Sequence, residues 1–211
     1  MTAAPLIKVC GVTDPADLAG WAGRVWAVGV VLAAEGPRRV DVDQARAVFD
    51  ALPQAVERVG VMVEPAPAEA AEAVRAIGLS RVQVHGDVDV AAVRAAAGVP
   101  VVQGFRVDGP AALARARESE ADLVLLDASV PGRHGGTGHA FDWGLLDDAP
   151  LGRPFALAGG LAPDNVEAAI ERVRPSHVDV SSGVERAPGR KDPALVEAFI
   201  AAAGGRASRA A

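Results

Sequence analysis

A single cysteine, Cys10, stands in 211 residues, so no disulfide can close within the chain and no cysteine-rich zinc module can be built. Such sparing use of cysteine fits a reducing compartment. Positive charge is in deficit: 21 Lys and Arg against 27 Asp and Glu give a formal net charge of −6 and a pI near 5.2. This balance argues against nucleic acid or an anionic membrane as the main partner. No apolar run approaches the roughly 18 residues that a membrane-spanning helix needs. The stretch Met1-Thr2-Ala3-Ala4-Pro5 lacks the basic and apolar regions of a secretion signal, and the expected location is the cytoplasm. Glycine (23) and proline (15) are scattered, and together fall below the roughly 25–30% share of low-complexity disorder.

What is present is core material arranged in a repeating order. Hydrophobic residues make up 50% of the chain. Short runs rich in Val, Ile and Leu occur at Leu6–Val12, Val25–Leu32, Val56–Val63, Arg81–His85, Val99–Phe105, Asp122–Asp127, Phe155–Ala158 and His177–Val180. They are nearly continuous rather than alternating, the pattern of parallel strands buried on both faces. Between them lie helical stripes. Ala70, Ala73, Val74 and Ile77 share one face and Gly78 closes it; Val90, Val93 and Ala97 are closed by Gly98. Val166, Ala169, Ile170 and Val173 follow Asp164, while Asp192-Pro193 and Asp14-Pro15 each read as an N-cap with proline at the first helical position. Eight strand–helix units in this length predict a single α/β domain, a (β/α)8 TIM barrel with a parallel eight-stranded sheet over residues 1–203. An open doubly wound sheet is the alternative, and the lack of a break between units favours closure. The tail 204–211 has no apolar period and is expected to fray.

In such a barrel the working groups sit at the C-terminal strand ends and in the loops after them. That rule selects Cys10, Arg38, His85, Gln103, Asp127, Gly159-Gly160, Asp179 and Ser181-Ser182-Gly183. Glycine-rich loops at Gly135-Gly136-Thr137-Gly138, Gly159-Gly160 and Ser181-Ser182-Gly183 predict a phosphate cradle, because bare backbone N–H groups can approach an anion closely. Alone, each is an ordinary tight turn. The early loops offer less; Glu64-Pro65-Ala66-Pro67 has few free N–H groups, which favours a substrate with one phosphate.

A lone cysteine is usually a small buried hydrophobe. Cys10 can instead serve as base or nucleophile if a cation favours its thiolate, since a free thiol ionises only near ~8.5. Lys8 is two residues earlier on the same strand face and is the candidate cation. Asp127 closes four apolar residues, where a carboxyl caps the next loop or is protonated and able to donate. Of four histidines only His85 lies at a strand's C-terminal end; His134 and His139 fall in the glycine loop and His177 starts its strand, so no metal-ligand spacing emerges. Arg38-Arg39 is a solvated pair or a carboxylate clamp.

The ordered set of stretches resembles the phosphoribosylanthranilate isomerase family of tryptophan biosynthesis along nearly the whole chain. Carrying it are Lys8-Val9-Cys10-Gly11-Val12-Thr13, Val82-Gln83-Val84-His85-Gly86, Leu125-Leu126-Asp127, Gly135-Gly136-Thr137-Gly138 with Phe141-Asp142-Trp143, and Ala158-Gly159-Gly160-Leu161. The most specific is Val178-Asp179-Val180-Ser181-Ser182-Gly183-Val184-Glu185 with Pro188-Gly189 and Lys191-Asp192. The resemblance implies a barrel enzyme that needs no metal or redox cofactor and performs an Amadori rearrangement of N-(5-phosphoribosyl)anthranilate to 1-(2-carboxyphenylamino)-1-deoxyribulose 5-phosphate. It further implies Cys10 as general base and Asp127 as general acid. Arg38 matches the position at the anthranilate end, and His85 and Asp179 match polar substrate-site positions. Gly136, Gly138, Gly159, Gly160, Ser181, Ser182 and Gly183 match the phosphate site.

The chain departs from the family after the second strand, with Gly36-Pro37-Arg38-Arg39 where Ser-Pro-Arg-Tyr is usual, and it contains no tyrosine at all. Gln103 stands where relatives can have a basic residue. The expected partner is a small phosphorylated molecule, with neither nucleic acid nor membrane, and the chain is expected to be a monomer or homodimer. Two other readings stay open at this point: a different single-phosphate sugar isomerase, and a barrel that binds a phosphorylated ligand without turnover.

Overall fold

A computed structural model describes residues 4–34, 36–127 and 151–204 of the chain. Eight parallel strands close in sequence order: β1 (Leu6–Cys10), β2 (Ala27–Ala33), β3 (Glu57–Val63), β4 (Arg81–His85), β5 (Val101–Arg106), β6 (Leu123–Asp127), β7 (Phe155–Ala158) and β8 (His177–Val180). Closure is direct, since β8 pairs with β1 in the register Leu6↔His177, Ile7↔Val178, Lys8↔Asp179 and Val9↔Val180. The open-sheet alternative is thereby overturned, because an open sheet would leave β1 or β8 with an unpaired edge.

Six α-helices lie among the described residues: α1 (Val42–Asp50), α2 (Pro67–Ile77), α3 (Val90–Ala97), α4 (Pro110–Glu118), α5 (Val166–Val173) and α6 (Pro193–Ala202). Their ends follow the chemistry of their caps. Asp89 and Asp192 accept from backbone N–H groups of the first turn, and Gly78 and Gly98 take left-handed conformations (φ 73° and 69°) that stop the helix. Asp14-Pro15, read as the start of a helix, opens instead a four-residue 3-10 turn (Pro15–Leu18), followed by a second such turn at Ala22–Arg24. Gly20 interrupts the segment at φ +86°, and Trp21 turns fully inward, its indole N–H donating to the Asp17 carbonyl at 2.7 Å. At α5 the residue before the first turn is Asn165 rather than Asp164. Of the expected tail, 205–211 lies outside the described residues, while Gly204 still donates to the Ala201 carbonyl at 3.1 Å.

The main core lies between strands and helices, where Val9, Val28, Val30, Val82, Val178, Val196 and Phe199 are fully buried. Each such side chain stabilises the fold by roughly 1.5–3 kcal/mol relative to exposure. The alternate set of strand residues points into the barrel. Its floor is closed by Trp26, Leu123 and His177, with Trp26 and His177 edge to face at 4.6 Å. Above that floor the lining turns polar: Lys8 and Asp179, then Gln83, then Cys10, His85 and Asp127 toward the mouth. Burying these groups is unfavourable unless they satisfy one another.

Candidate active site

The mouth of the barrel holds a cavity of about 320 Å³. Its lining brings together Cys10, Arg38, His85, Asp127, Gly159, Gly160, Asp179, Ser181 and Ser182, which arrive from six strands or the loops after them. Cys10 ends β1 and Asp127 ends β6, three strands apart one way round the barrel and five the other. They flank the same space across the mouth rather than as neighbours. Cys10 is buried and Asp127 half-buried.

Beneath the thiol lies an ion pair, Lys8 Nζ to Asp179 Oδ2 at 2.8 Å, both side chains less than a tenth exposed. Gly29, register partner of Cys10 on β2, makes room for both: a Cβ there would stand 3.1 Å from Cys10 Sγ and 3.2 Å from Lys8 Nζ. The cation sought beside Cys10 is therefore present. Its pull does not win, however. Burial pushes the Cys10 thiol up, Lys8 and then Lys191 draw it down, Asp179 pushes it up again, and the balance is above the ordinary value. Burial works against the charge on Lys8, but Asp179 and Cys10 more than offset it, so Lys8 remains an ammonium. Burial, helped by Asp127, pushes Asp179 up against the opposing pull of Lys8. We take the pair as charged near neutrality, because breaking it would strand one buried ion.

His85 is held as a neutral imidazole: burial lowers its proton affinity more than Asp127 raises it. Its Nε2 lies 2.8 Å from the Gln83 amide nitrogen, and Gly104 on β5 leaves space for the ring, since a Cβ there would come within 2.2 Å of Cε1.

In the loop after β7, Gly159 and Gly160 are both left-handed (φ 92° and 67°). Asn165 ties down their loop, accepting from Ala162 N and donating to the Gly160 carbonyl, each at 2.9 Å. Gly183 does not line the cavity. A Cβ there would sit 2.0 Å from the Leu161 carbonyl oxygen, so Gly183 lets the β8 loop close onto the β7 loop. Gly136 and Gly138, with His134 and His139, lie outside the described residues. Gln103 does not reach the cavity: its amide oxygen accepts from Ser119 Oγ at 2.6 Å on the helix side of β5. Strand alternation explains this, since Gly104 and not Gln103 adjoins His85 in the β4–β5 register.

Two residues of the site escaped role assignment from sequence. Glu185 accepts two bonds from Arg38, from Nε at 2.8 Å and Nη2 at 2.6 Å, and Lys191 Nζ donates to Glu185 at 2.8 Å and to the Ser181 carbonyl at 3.1 Å. Lys191 is wholly buried. Both lie on a small hairpin, β9 (Glu185–Ala187) and β10 (Arg190–Lys191), appended to β8. A fully buried lysine needs a carboxylate partner, and a glutamate six residues away was the signal available.

The sequence profile of the family described as N-(5'-phosphoribosyl)anthranilate (PRA) isomerase matches residues 7–202. An N-(5'-phosphoribosyl)anthranilate isomerase of Pseudomonas fluorescens is 46% identical over 198 residues, spanning 92% of this chain and 93% of that protein. The crystal structure of phosphoribosyl anthranilate isomerase from Thermotoga maritima superposes with a TM-score of 0.86 at 35% identity, covering 95% of this chain and 98% of the other. A further structure of the isomerase, in complex with reduced 1-(o-carboxyphenylamino)-1-deoxyribulose 5-phosphate, superposes with a TM-score of 0.83 at 33% identity, with coverage of 95% and 98%. With the barrel closed and the cavity lined as described, the chain belongs to the phosphoribosylanthranilate isomerase family.

Proposed function

We propose that this chain converts N-(5-phosphoribosyl)anthranilate to 1-(2-carboxyphenylamino)-1-deoxyribulose 5-phosphate, with Cys10 as general base and Asp127 as general acid. Asp127 gives a proton to the ribose ring oxygen as the bond from that oxygen to C1 breaks. The anthranilate nitrogen lone pair forms a C=N bond, leaving an iminium at C1. That positive charge acidifies the proton on C2, which the Cys10 thiolate removes, and the electron pair forms C1=C2 as the nitrogen recovers its lone pair. The enol then loses its hydroxyl proton and gains one at C1, giving the ketone. Substrate and product are isomers, so no electron acceptor enters the balance.

The remaining assignments follow the chemistry of each lining group. Arg38 receives the anthranilate carboxylate, His85 and Asp179 contact the sugar, and Gly159, Gly160, Ser181 and Ser182 hold the phosphate together with Gly136 and Gly138. Gly183 acts by packing. One barrel domain, residues 1–203, carries the activity in the cytoplasm, as a monomer or homodimer. Among the described residues no helix is long and apolar enough to cross a membrane.

The observation that carries this reading is that Cys10 and Asp127 share one cavity of about 320 Å³. Its test is loss of substrate fluorescence with phosphoribosylanthranilate formed in situ and EDTA present. Cys10→Ala and Asp127→Asn are expected to lower kcat at least ~10²-fold without unfolding the protein. Near-full turnover by either variant overturns the role assigned to that residue.

A further inference from the structure

Arg38 follows β2, whereas Glu185 and Lys191 belong to the hairpin after β8, so their contacts tie two sides of the mouth together. A guanidinium has five N–H donors in a rigid fork. Glu185 occupies the side edge of that fork through Nε and Nη2. What remains is the end edge, Nη1 with the second hydrogen of Nη2, a shape that matches a carboxylate in bidentate fashion. Arg38 lines the cavity and is about a third exposed. Its aliphatic stem lies over Gly11 (φ +74°), where a Cβ would come within 2.7 Å of Cδ and 3.2 Å of Ser181 Oγ.

We propose that Glu185, held by Lys191, is a positioning residue that turns the end edge of the Arg38 guanidinium to the substrate's aromatic carboxylate and fixes its spacing from the phosphate loop. The link to that loop is the bond from Lys191 to the Ser181 carbonyl. Burial pushes Glu185 up, but Arg38 and Lys191 hold its carboxyl below the ordinary value, so the clamp stays charged through the working pH range. The device selects a ligand with a carboxylate at one end and a phosphate at the other, a set distance apart. It rests on the reading of Arg38 as receptor of the carboxylate.

The test compares binding of two probes by calorimetry: reduced 1-(o-carboxyphenylamino)-1-deoxyribulose 5-phosphate, and the same molecule without its carboxyl. Glu185→Gln is expected to weaken the first about tenfold or more, as loss of a charge-assisted bond does, and the second by less than about twofold. Arg38→Met is expected to abolish the preference for the carboxylated probe. If Arg38→Met leaves that preference intact, the reading of Arg38 falls, and the proposal with it. If Arg38→Met abolishes the preference and Glu185→Gln keeps it, the proposal alone is overturned. Equal weakening of both probes by Glu185→Gln makes the clamp merely structural and overturns it too. Should Glu185→Gln fail to fold, Glu185→Asp, which keeps the charge beside Lys191 and shortens the reach to Arg38, is read by the same outcomes.

Discussion

Burial and a nearby ion pair pull on Cys10 in opposite senses, and burial prevails. The base form is the thiolate, so a thiol held above its ordinary value leaves only a small reactive fraction at neutral pH. The iminium formed during the reaction supplies the missing positive charge at the step that needs it. Accordingly the rate at which iodoacetamide alkylates Cys10, which needs the thiolate alone, is expected to climb about tenfold per pH unit through neutrality and to keep rising past about pH 8.5, where an ordinary thiol is half ionised. A pH–rate profile checks this, and a plateau reached below neutrality would contradict it. At this scale the sequence was informative where a residue's type and its strand-end position coincide, as for Cys10, His85, Asp127 and Asp179. It misled at Gln103, because one residue of strand phase decides whether a side chain faces the cavity or the helices. It assigned no role to Glu185 and Lys191, because the bond from Arg38 to Glu185 joins residues 147 apart, a pairing that no local pattern encodes.

Between neighbouring elements, fit depends on glycine. The β8 loop meets the β7 loop at Gly183, where a methyl group would fall 2.0 Å from a backbone oxygen that has no flexible side chain to yield. Gly183→Ala must separate the two loops proposed to hold the phosphate. It is expected to weaken competitive inhibition by inorganic phosphate about tenfold or more while the barrel remains folded, since the loss is one of anion contacts at the loop. Inhibition constants with circular dichroism as a fold control check this; an unchanged constant would remove Gly183 from the phosphate site. Element types were legible where caps and periods agree, as in α2 and α3 with Gly78 and Gly98. They were not legible after β1, where an N-cap signal at Asp14-Pro15 was overridden by Gly20 and by the burial of Trp21.

For the molecule as a whole, closure of the barrel places Trp26 and His177 in its floor. Burial, aided by Arg81, lowers His177 to about 4. An unfolded chain binds that proton near ~6.5, so between these values the unfolded state carries more protons than the folded one. Stability is full above the unfolded value and declines as pH falls toward the folded one. Denaturant midpoints measured from pH 7 down to 4 are expected to fall less in a His177→Asn variant than in the parent, and identical slopes would contradict this. Eight strand-like runs recurring along the sequence made the barrel legible, and the eight strands pair in sequence order, because repetition of one unit constrains the whole. The claim that organises all of this is that a sulfur and a carboxyl act on one ribose from two sides. A crystal structure of this chain with reduced 1-(o-carboxyphenylamino)-1-deoxyribulose 5-phosphate tests it most directly. The account predicts Cys10 Sγ within about 4 Å of C2 and an Asp127 oxygen within about 3.2 Å of the C4 hydroxyl, the former ring oxygen. A ligand seated with either group turned away from those atoms would contradict it.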